Sequence, residues 1–366
     1  MKAKAAVLTE FDRPLEIREY PLVPLSDGEV RVKITCAGVC GSDVHMWRGK
    51  DPRTPVPMIL GHEGVGEVAE ISGQKTDLFG RELKEGDPVL WERGVMCGDC
   101  YQCTIKKEPS LCPTRKTYGI SYSSDNPPHF LGCYGEYLHL HAGQPMIKLD
   151  LDASPEVLVP ATCSGATAAH AVEQCNLEPG DFAVVVGPGP VGLFVLAQLL
   201  EAGAGEVWVA GTDADASRLI MALEFGAANT LNVDAMEMDE IRECLMDKTR
   251  GVGPNVIMDC TGYAPVTTQW IDLLAHGGTY GIPGIATPQD NIPVDLFTSI
   301  ARKNVKLQGT WVSDTSHLWR AANLVAEGRY PFDRLITHEF SLDEATKGLE
   351  VTESKESVKA ILKPGQ

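Results

Sequence analysis

Ala183-Val184-Val185-Val186-Gly187-Pro188-Gly189-Pro190-Val191-Gly192 is the stretch on which the reading of this chain turns. Its apolar opening, three of four residues β-branched, predicts a buried strand. Gly187, Gly189 and Gly192 then fit G-x-G-x-x-G, and Pro190 and Val191 open an apolar run of helical character to Ala202. In a strand–turn–helix setting the glycines have separate tasks: a tight turn, close approach of backbone to a pyrophosphate, and tight packing of helix on strand. The helix N-terminus offers free N–H groups and a partial positive charge to phosphates. A plain Gly/Pro turn is the alternative reading of the same residues.

Moving outward, strand text at Val207-Trp-Val-Ala, Thr230-Leu-Asn-Val, Val256-Ile-Met-Asp and Gly278-Thr-Tyr-Gly alternates with helical text, as at Ser217–Phe225. That alternation predicts a doubly wound parallel sheet, an α/β fold. On the other side, Pro160–Cys175 reads as helical. Before Leu149 the chain is short β-like runs such as Glu29-Val-Arg-Val-Lys-Ile and Gly66-Glu-Val-Ala-Glu-Ile, cut by Gly and Pro. Such text suits a closed or folded-over antiparallel sheet. From Val305 it turns mixed: a strand at Val305–Gly309, helices at His317–Glu327 and Ala345–Val351, and a strand at Val358–Leu362. A length of 366 residues exceeds the roughly 250–300 of a single core, so two domains are expected. The simplest partition inserts a nucleotide-binding domain, 164–303, between two parts, 1–163 and 304–366, of a β-rich domain.

The ribose-binding acid usually closes the second strand, roughly 20 residues past the glycine motif. Asp213 falls there, with Thr212 before it and Asp215 and Arg218 after. An acid at Asp213 favours NAD, whereas Thr212 and Arg218 could receive the 2′-phosphate of NADP. The extra carboxylates tilt the expectation to NAD. Asp213 as a solvated loop residue stays open beside it.

A net charge of −18 excludes an ordinary phosphate-backbone partner, so no nucleic acid is expected. Charge at Glu10, Asp12 and Arg13 comes too early for a signal peptide, and no apolar run reaches membrane-spanning length. A cytoplasmic location, with no membrane partner, follows as the expectation. In that setting the 11 cysteines point to metal ligands or redox thiols rather than a disulfide framework. Cys97-x2-Cys100-x2-Cys103-x8-Cys112 supplies four thiols, enough to close a tetrahedral zinc site with no open position. Disulfides or an iron–sulfur cluster are the alternatives. Cys40-Gly41-Ser42-Asp43-Val44-His45 and Gly61-His62-Glu63 bring a thiol, two imidazoles, a hydroxyl and two carboxylates into a Gly/Pro-rich span. Thiolate and imidazole are preferred zinc ligands, and a catalytic zinc keeps one position open. Cys36, Cys133, Cys175, Cys244 and Cys260 read as small hydrophobes, and His170 as packing. Trp47, Trp311 and His317 are candidates for a pocket wall.

Taken in this order and spacing, the Cys40–His45 and Gly61–Glu63 segments, the four-cysteine lobe and the Gly187–Gly192 loop resemble the zinc-dependent medium-chain alcohol dehydrogenases, including the sorbitol and threonine branches. The resemblance covers essentially the whole chain. It implies a GroES-like catalytic domain plus a Rossmann domain, with catalytic zinc on Cys40, His62 and a third ligand, Cys163 in Pro160-Ala-Thr-Cys163-Ser-Gly-Ala-Thr167. It further implies Thr167 at the nicotinamide side, Glu63 as an acid beside the zinc or a transient ligand, and Lys359 at the pyrophosphate. Two zinc ions per chain, NAD or NADP, and a homodimer or homotetramer complete the expectation. The x8 spacing exceeds the family's usual x7, and Cys163 stands where the sorbitol branch tends to carry glutamate.

The activity so implied is hydride transfer between an alcohol or polyol, or the matching carbonyl compound, and NAD(P). Zinc would act as a Lewis acid. Ser42 would take the hydroxyl proton and pass it through the cofactor ribose to His45, and Asp43 would orient a ligand imidazole. The competing readings are a reductase of the same superfamily with another substrate class and a non-catalytic nucleotide-binding protein that retains the fold. The second predicts decay of Ser42, His45 or the zinc ligands, and all are present.

Overall fold

The computed structural model describes residues 1–149 and 154–365. The chain divides into two compact units, Met1–Cys163 with Ser313–Gln366, and Ser164–Val312.

Among the described residues, the second unit holds one six-stranded sheet, ordered Asn229–Asn232, Glu206–Gly211, Phe182–Val186, Val256–Asp259, Thr279–Ile282, Lys306–Gly309. Every pairing is parallel, and numbered along the chain the order is 3-2-1-4-5-6, the dinucleotide-binding arrangement. Phe182–Val186 lies at the centre and is buried along its whole length, which explains its unbroken apolar text. Its chain turns at Gly187 (φ +98°) and enters the helix Pro190–Glu201, with Gly189 at the N-cap and Pro190 in the first turn, where a missing N–H costs nothing. A Cβ on Gly192 would sit 2.0 Å from the Gly187 carbonyl oxygen, so the third glycine is what lets helix and turn pack. Val184, Val186, Ile257, Trp270 and Tyr280 anchor the core on one face of the sheet.

The sequence expectation places the return to the first unit at residue 304. The structure corrects this: Lys306–Gly309 pairs with Thr279–Ile282 as the sixth strand of the parallel sheet, and the unit boundary falls at Ser313. The strand is half polar because it lies at the sheet edge, so its text resembles that of the β-rich unit.

The first unit is built on a seven-stranded, mostly antiparallel sheet and a three-stranded one containing Lys2–Leu8. The long strand Val30–Val39 pairs on one side with Glu63–Ile71, aligning Gly38 with Glu63. On the other it pairs with Lys359–Lys363, aligning Val39 with Ala360. These three strands bring residues distant in sequence to one end of the sheet. Val39 leads into Cys40, His62 directly precedes the second strand, and Lys359 opens the third.

Candidate metal centre and nucleotide site

Cys40 caps the seven-residue helix Gly41–Trp47. Asp43 in its first turn is fully buried, and its Oδ2 accepts from the Cys40 backbone N–H at 2.8 Å. Asp43 Oδ1 lies 3.2 Å from His62 Nδ1, which fixes the imidazole so that Nε2 faces away, and Tyr134 donates its hydroxyl to Asp43 Oδ2 at 3.3 Å. One ligand atom each from Cys40, His62, Glu63 and Cys163 converge so that all lie within 4.8 Å of one another.

The donor types of this cluster suit zinc, whose binding would displace the proton from His62. A hydrogen bond shared with Cys163 lowers the Cys40 thiol well below its ordinary range, and against burial His62 and the Lys359 charge add to that shift. The same bond, with burial, pushes Cys163 up. Burial works against charge on His62, yet the Asp43 carboxylate and the Cys40 sulfur raise it to about 10. The set holds a thiolate ready to bind and an imidazole oriented through its far nitrogen by a carboxylate, the outer-shell arrangement typical of zinc histidines. These residues fit the metal.

Glu63 is fully buried and receives both of its hydrogen bonds from Lys359 Nζ, at 2.9 Å to each carboxylate oxygen. Burial raises its carboxyl to about 7 even though Lys359 opposes the shift. Lys359 also donates to the Val39 carbonyl at 3.3 Å and is 2% exposed. The Lys359 ammonium is thus committed to the Glu63 carboxylate inside the first unit, a partner that the resemblance does not supply. A Cβ on Gly38 would fall 2.0 Å from Glu63 Oε2, so the strand opposite must carry glycine for the pair to lie flat.

Ser42 and His45 sit three residues apart on the helix Gly41–Trp47, hence on one face of it. The Ser42 hydroxyl is 3.3 Å from His62 Nε2. Burial, aided by Lys50, lowers the His45 pKa, which keeps the imidazole neutral and able to accept a proton. Trp47 is buried, its indole donating to the Arg13 carbonyl at 2.6 Å and its ring covered by Arg48.

The ligand atoms of Cys97, Cys100, Cys103 and Cys112 also lie within 4.8 Å of one another. The lobe is held by the short ribbon of Gly94–Val95 with Lys116–Thr117 and otherwise has little regular structure. The Cys97 and Cys112 sulfurs are 3.6 Å apart. Cys112 is lowered to about 6: burial opposes the thiolate, but a hydrogen bond involving the Cys97 backbone and others from Thr114 outweigh it. Among the described residues every cysteine is free of a disulfide. Sequence reading did not single out Arg93, a buried guanidinium that donates to Ser313 Oγ at 3.3 Å and whose positive charge the Cys163 and Glu92 groups favour against burial. The signal was available: Glu92-Arg93 follows the apolar strand Pro88–Trp91 without any turn residue between.

In the second unit, Gly187, Gly189, Pro190, Val191 and Gly192 occupy the turn and helix start after the central strand, and Thr167 lies buried in the helix Ser164–Gln174. Thr212, Asp213, Asp215 and Arg218 gather beyond the end of Glu206–Gly211. Asp215 accepts from the Thr212 hydroxyl at 2.7 Å and pairs with Arg218 Nη1 at 3.2 Å. Asp213 is exposed, with Oδ1 accepting from Asn232 Nδ2 at 2.7 Å.

Residues 26–150 match the Alcohol dehydrogenase GroES-like domain, and residues 190–327 match the Zinc-binding dehydrogenase domain. The chain is 31% identical to 5-exo-hydroxycamphor dehydrogenase of Pseudomonas putida over 98% of each chain. It is also 31% identical to a sorbitol dehydrogenase of Halalkalibacterium halodurans over 95% of each. The crystal structure of an alcohol dehydrogenase from Thermotoga maritima superimposes with a TM-score of 0.95 at 42% identity, covering both chains completely. A GroES-like unit and a Rossmann unit, with a sulfur–imidazole donor cluster in the first, define a zinc-type dehydrogenase. The chain belongs to the zinc-dependent medium-chain alcohol dehydrogenase family, enzymes that carry out NAD(P)-dependent oxidoreduction of small-molecule alcohols and carbonyl compounds. Among the described residues no helix is long and apolar enough to cross a membrane.

Proposed function

We propose that the chain holds two zinc ions. The catalytic one is bound by Cys40, His62 and Cys163, with Glu63 beside it as a tuning acid or transient ligand. The structural one is held by Cys97, Cys100, Cys103 and Cys112. Convergence of donor atoms from separate segments within 4.8 Å is the observation that carries this reading. Zinc supplies a Lewis acid for the substrate oxygen and the nicotinamide takes or gives the hydride. Around them, Asp43 holds the His62 tautomer, and Ser42 receives the substrate's hydroxyl proton. His45, neutral through its burial, accepts that proton onward. Thr167 flanks the nicotinamide, and Gly187–Gly192 with the following helix N-terminus takes the pyrophosphate.

NAD is the preferred coenzyme. Arg218 is matched by the Asp215 carboxylate, so no guanidinium there is reserved for a 2′-phosphate, and the exposed Asp213 would repel one while accepting ribose hydroxyls. Substrates are alcohols or polyols and their carbonyl partners, and the protein is a cytoplasmic homodimer or homotetramer.

Elemental analysis is expected to return two zinc per chain in the wild type and one in Cys163→Ala. A wild-type value of one or less refutes the two-site assignment. Replacing Asp213 by Ala should erode the NAD preference in kcat/KM, and an unchanged NAD/NADP ratio removes Asp213 from the ribose site.

A further inference from the structure

Tyr134 reaches the donor cluster from a segment that the chemistry above does not use. It is fully buried, and its hydroxyl donates to Asp43 Oδ2 at 3.3 Å. The Cys40 backbone N–H donates to the same oxygen at 2.8 Å, and Asp43 Oδ1 faces His62 Nδ1 at 3.2 Å. One buried carboxylate therefore orients two members of the cluster, Cys40 through its backbone and His62 through its ring. Tyr134 is the third group on that carboxylate and comes from neither ligand segment.

The backbone fixes where this side chain lies. The Tyr134 N–H donates to the Leu60 carbonyl at 2.9 Å, the Cys133 N–H to the Gly61 carbonyl at 2.8 Å, and the Tyr134 carbonyl accepts from the Ala6 N–H at 2.8 Å. Two of these bonds run to the residues just before His62. Gly61 has a φ of +91°, and a Cβ there would stand 2.4 Å from the Tyr134 ring. The ring thus packs on the turn that delivers His62, while the hydroxyl ends on Asp43. A buried phenol needs an acceptor, but packing alone does not require that acceptor to be a carboxylate. The bond to a carboxylate is charge-assisted and stronger than a neutral one. Without it Oδ2 rests on the Cys40 N–H, and the carboxylate plane that aims Oδ1 at His62 is less firmly held.

We propose that Tyr134 is a positioning residue of the reaction centre: its hydroxyl fixes the Asp43 carboxylate, and through it the His62 ring, in the orientation that binds the metal. This rests on the reading of Cys40, His62 and Cys163 as the catalytic zinc site. Groups that orient a ligand histidine govern how firmly the metal is held, so the hydroxyl acts on that site and leaves the four-cysteine lobe untouched.

The test compares the wild type with Tyr134→Phe, which keeps the ring and every backbone bond, each first checked for zinc content and melting temperature. Zinc release to excess pyridylazoresorcinol is followed by absorbance, and Cys163→Ala and Cys103→Ser identify the phase that belongs to each site. Tyr134→Phe should release zinc about fivefold or more faster in the phase that Cys163→Ala lacks, with the other phase unchanged. The same proteins are then loaded with cobalt in place of zinc. The visible ligand-field bands of the site containing His62 should shift in Tyr134→Phe, a change that loss of packing elsewhere in the fold does not produce. Selective acceleration together with the band shift supports the proposal, and the absence of either overturns it. Equal acceleration of both phases, or a lower melting temperature with release rates and cobalt bands unchanged, also overturns it, because the hydroxyl then serves only the fold. A wild type holding fewer than two zinc refutes the two-site reading and the inference with it, whereas two zinc with both phases unchanged in Tyr134→Phe refutes this inference alone.

Discussion

Replacing Lys359 by Met isolates the buried pair beside the metal centre. The ammonium donates to both Glu63 oxygens at 2.9 Å, and both residues are almost completely excluded from solvent. Removing one member leaves a buried carboxylate uncompensated, which costs about 3–5 kcal/mol. Spread over a unit of this size, that is a fall of about 6–20 °C in melting temperature. The loss has a pH signature. Glu63 is already raised to about 7 by burial with its partner present, so without Lys359 it rises further. A carboxyl whose folded pKa lies above its unfolded value destabilises the fold progressively as pH climbs between the two. The Glu63 contribution to the gap should therefore stay constant below about pH 7, where both proteins keep the carboxyl protonated, widen above it and level off above the variant's own folded pKa. Adding Glu63→Gln removes the orphaned charge, and the double variant should recover most of the loss, giving a coupling of about 2 kcal/mol or more. Differential scanning calorimetry on four proteins across pH measures this. A Lys359→Met protein melting within about 2 °C of wild type at pH 7.5, or a double variant no more stable than the single, refutes the reasoning.

Gly38→Ala drives a methyl into Glu63 Oε2 at 2.0 Å, and should cost about 1–3 kcal/mol while lowering catalytic zinc occupancy, both read on the purified protein. Val184→Ala removes fully buried methyl groups from the central strand and should cost about 2–4 kcal/mol by thermal melting, without changing zinc content. Asp77 accepts from the Phe79 and Arg81 backbone N–H groups and from the Arg81 guanidinium, and these bonds outweigh burial to hold its pKa below the ordinary value. Its stabilisation is present above the unfolded pKa of about 3.9 and is lost as pH falls through the lower folded value. Asp77→Asn should thus be less stable than wild type at pH 7 by about 1–3 kcal/mol, with the difference shrinking below pH 4. Cys103→Ser should lower zinc to one per chain and expose the 94–117 region to protease, because a lobe with so little regular structure depends on chelation for its shape.

Much of this architecture can be read from the chain because its signals are local. Phe182–Val186, Gly187–Gly192 and Pro190–Glu201 sit within twenty residues, and each obeys a rule that needs no tertiary context. The cysteine lobe is likewise local, four thiols over a short span. Register decides what cannot be read. Glu63 and Lys359 are 296 residues apart, and only the alignment of three strands shows that they pair. Lys306–Gly309 was misallotted because edge strands in both units carry the same half-polar pattern. Arg93 is marked locally only by a charged pair that follows the strand Pro88–Trp91 with no turn residue between, and its Ser313 partner comes from a distant segment.

The strand Lys359–Lys363 also dictates an order of maturation. It lies between Val30–Val39 and Ile336–Ser341 within its sheet, not at an edge, and Lys359 meets a carbonyl 320 residues earlier in the chain. At roughly 5–20 residues per second of synthesis, those 320 residues take about 15–60 s. During that interval the stretch carrying Cys40, His62 and the lobe cysteines waits on the ribosome with an unfilled place in its sheet. The Ser164–Val312 unit meanwhile has its whole sheet in hand. Its nucleotide fold can close during translation, whereas the sheet that positions Cys40 and His62 is complete only once Lys359–Lys363 has been made.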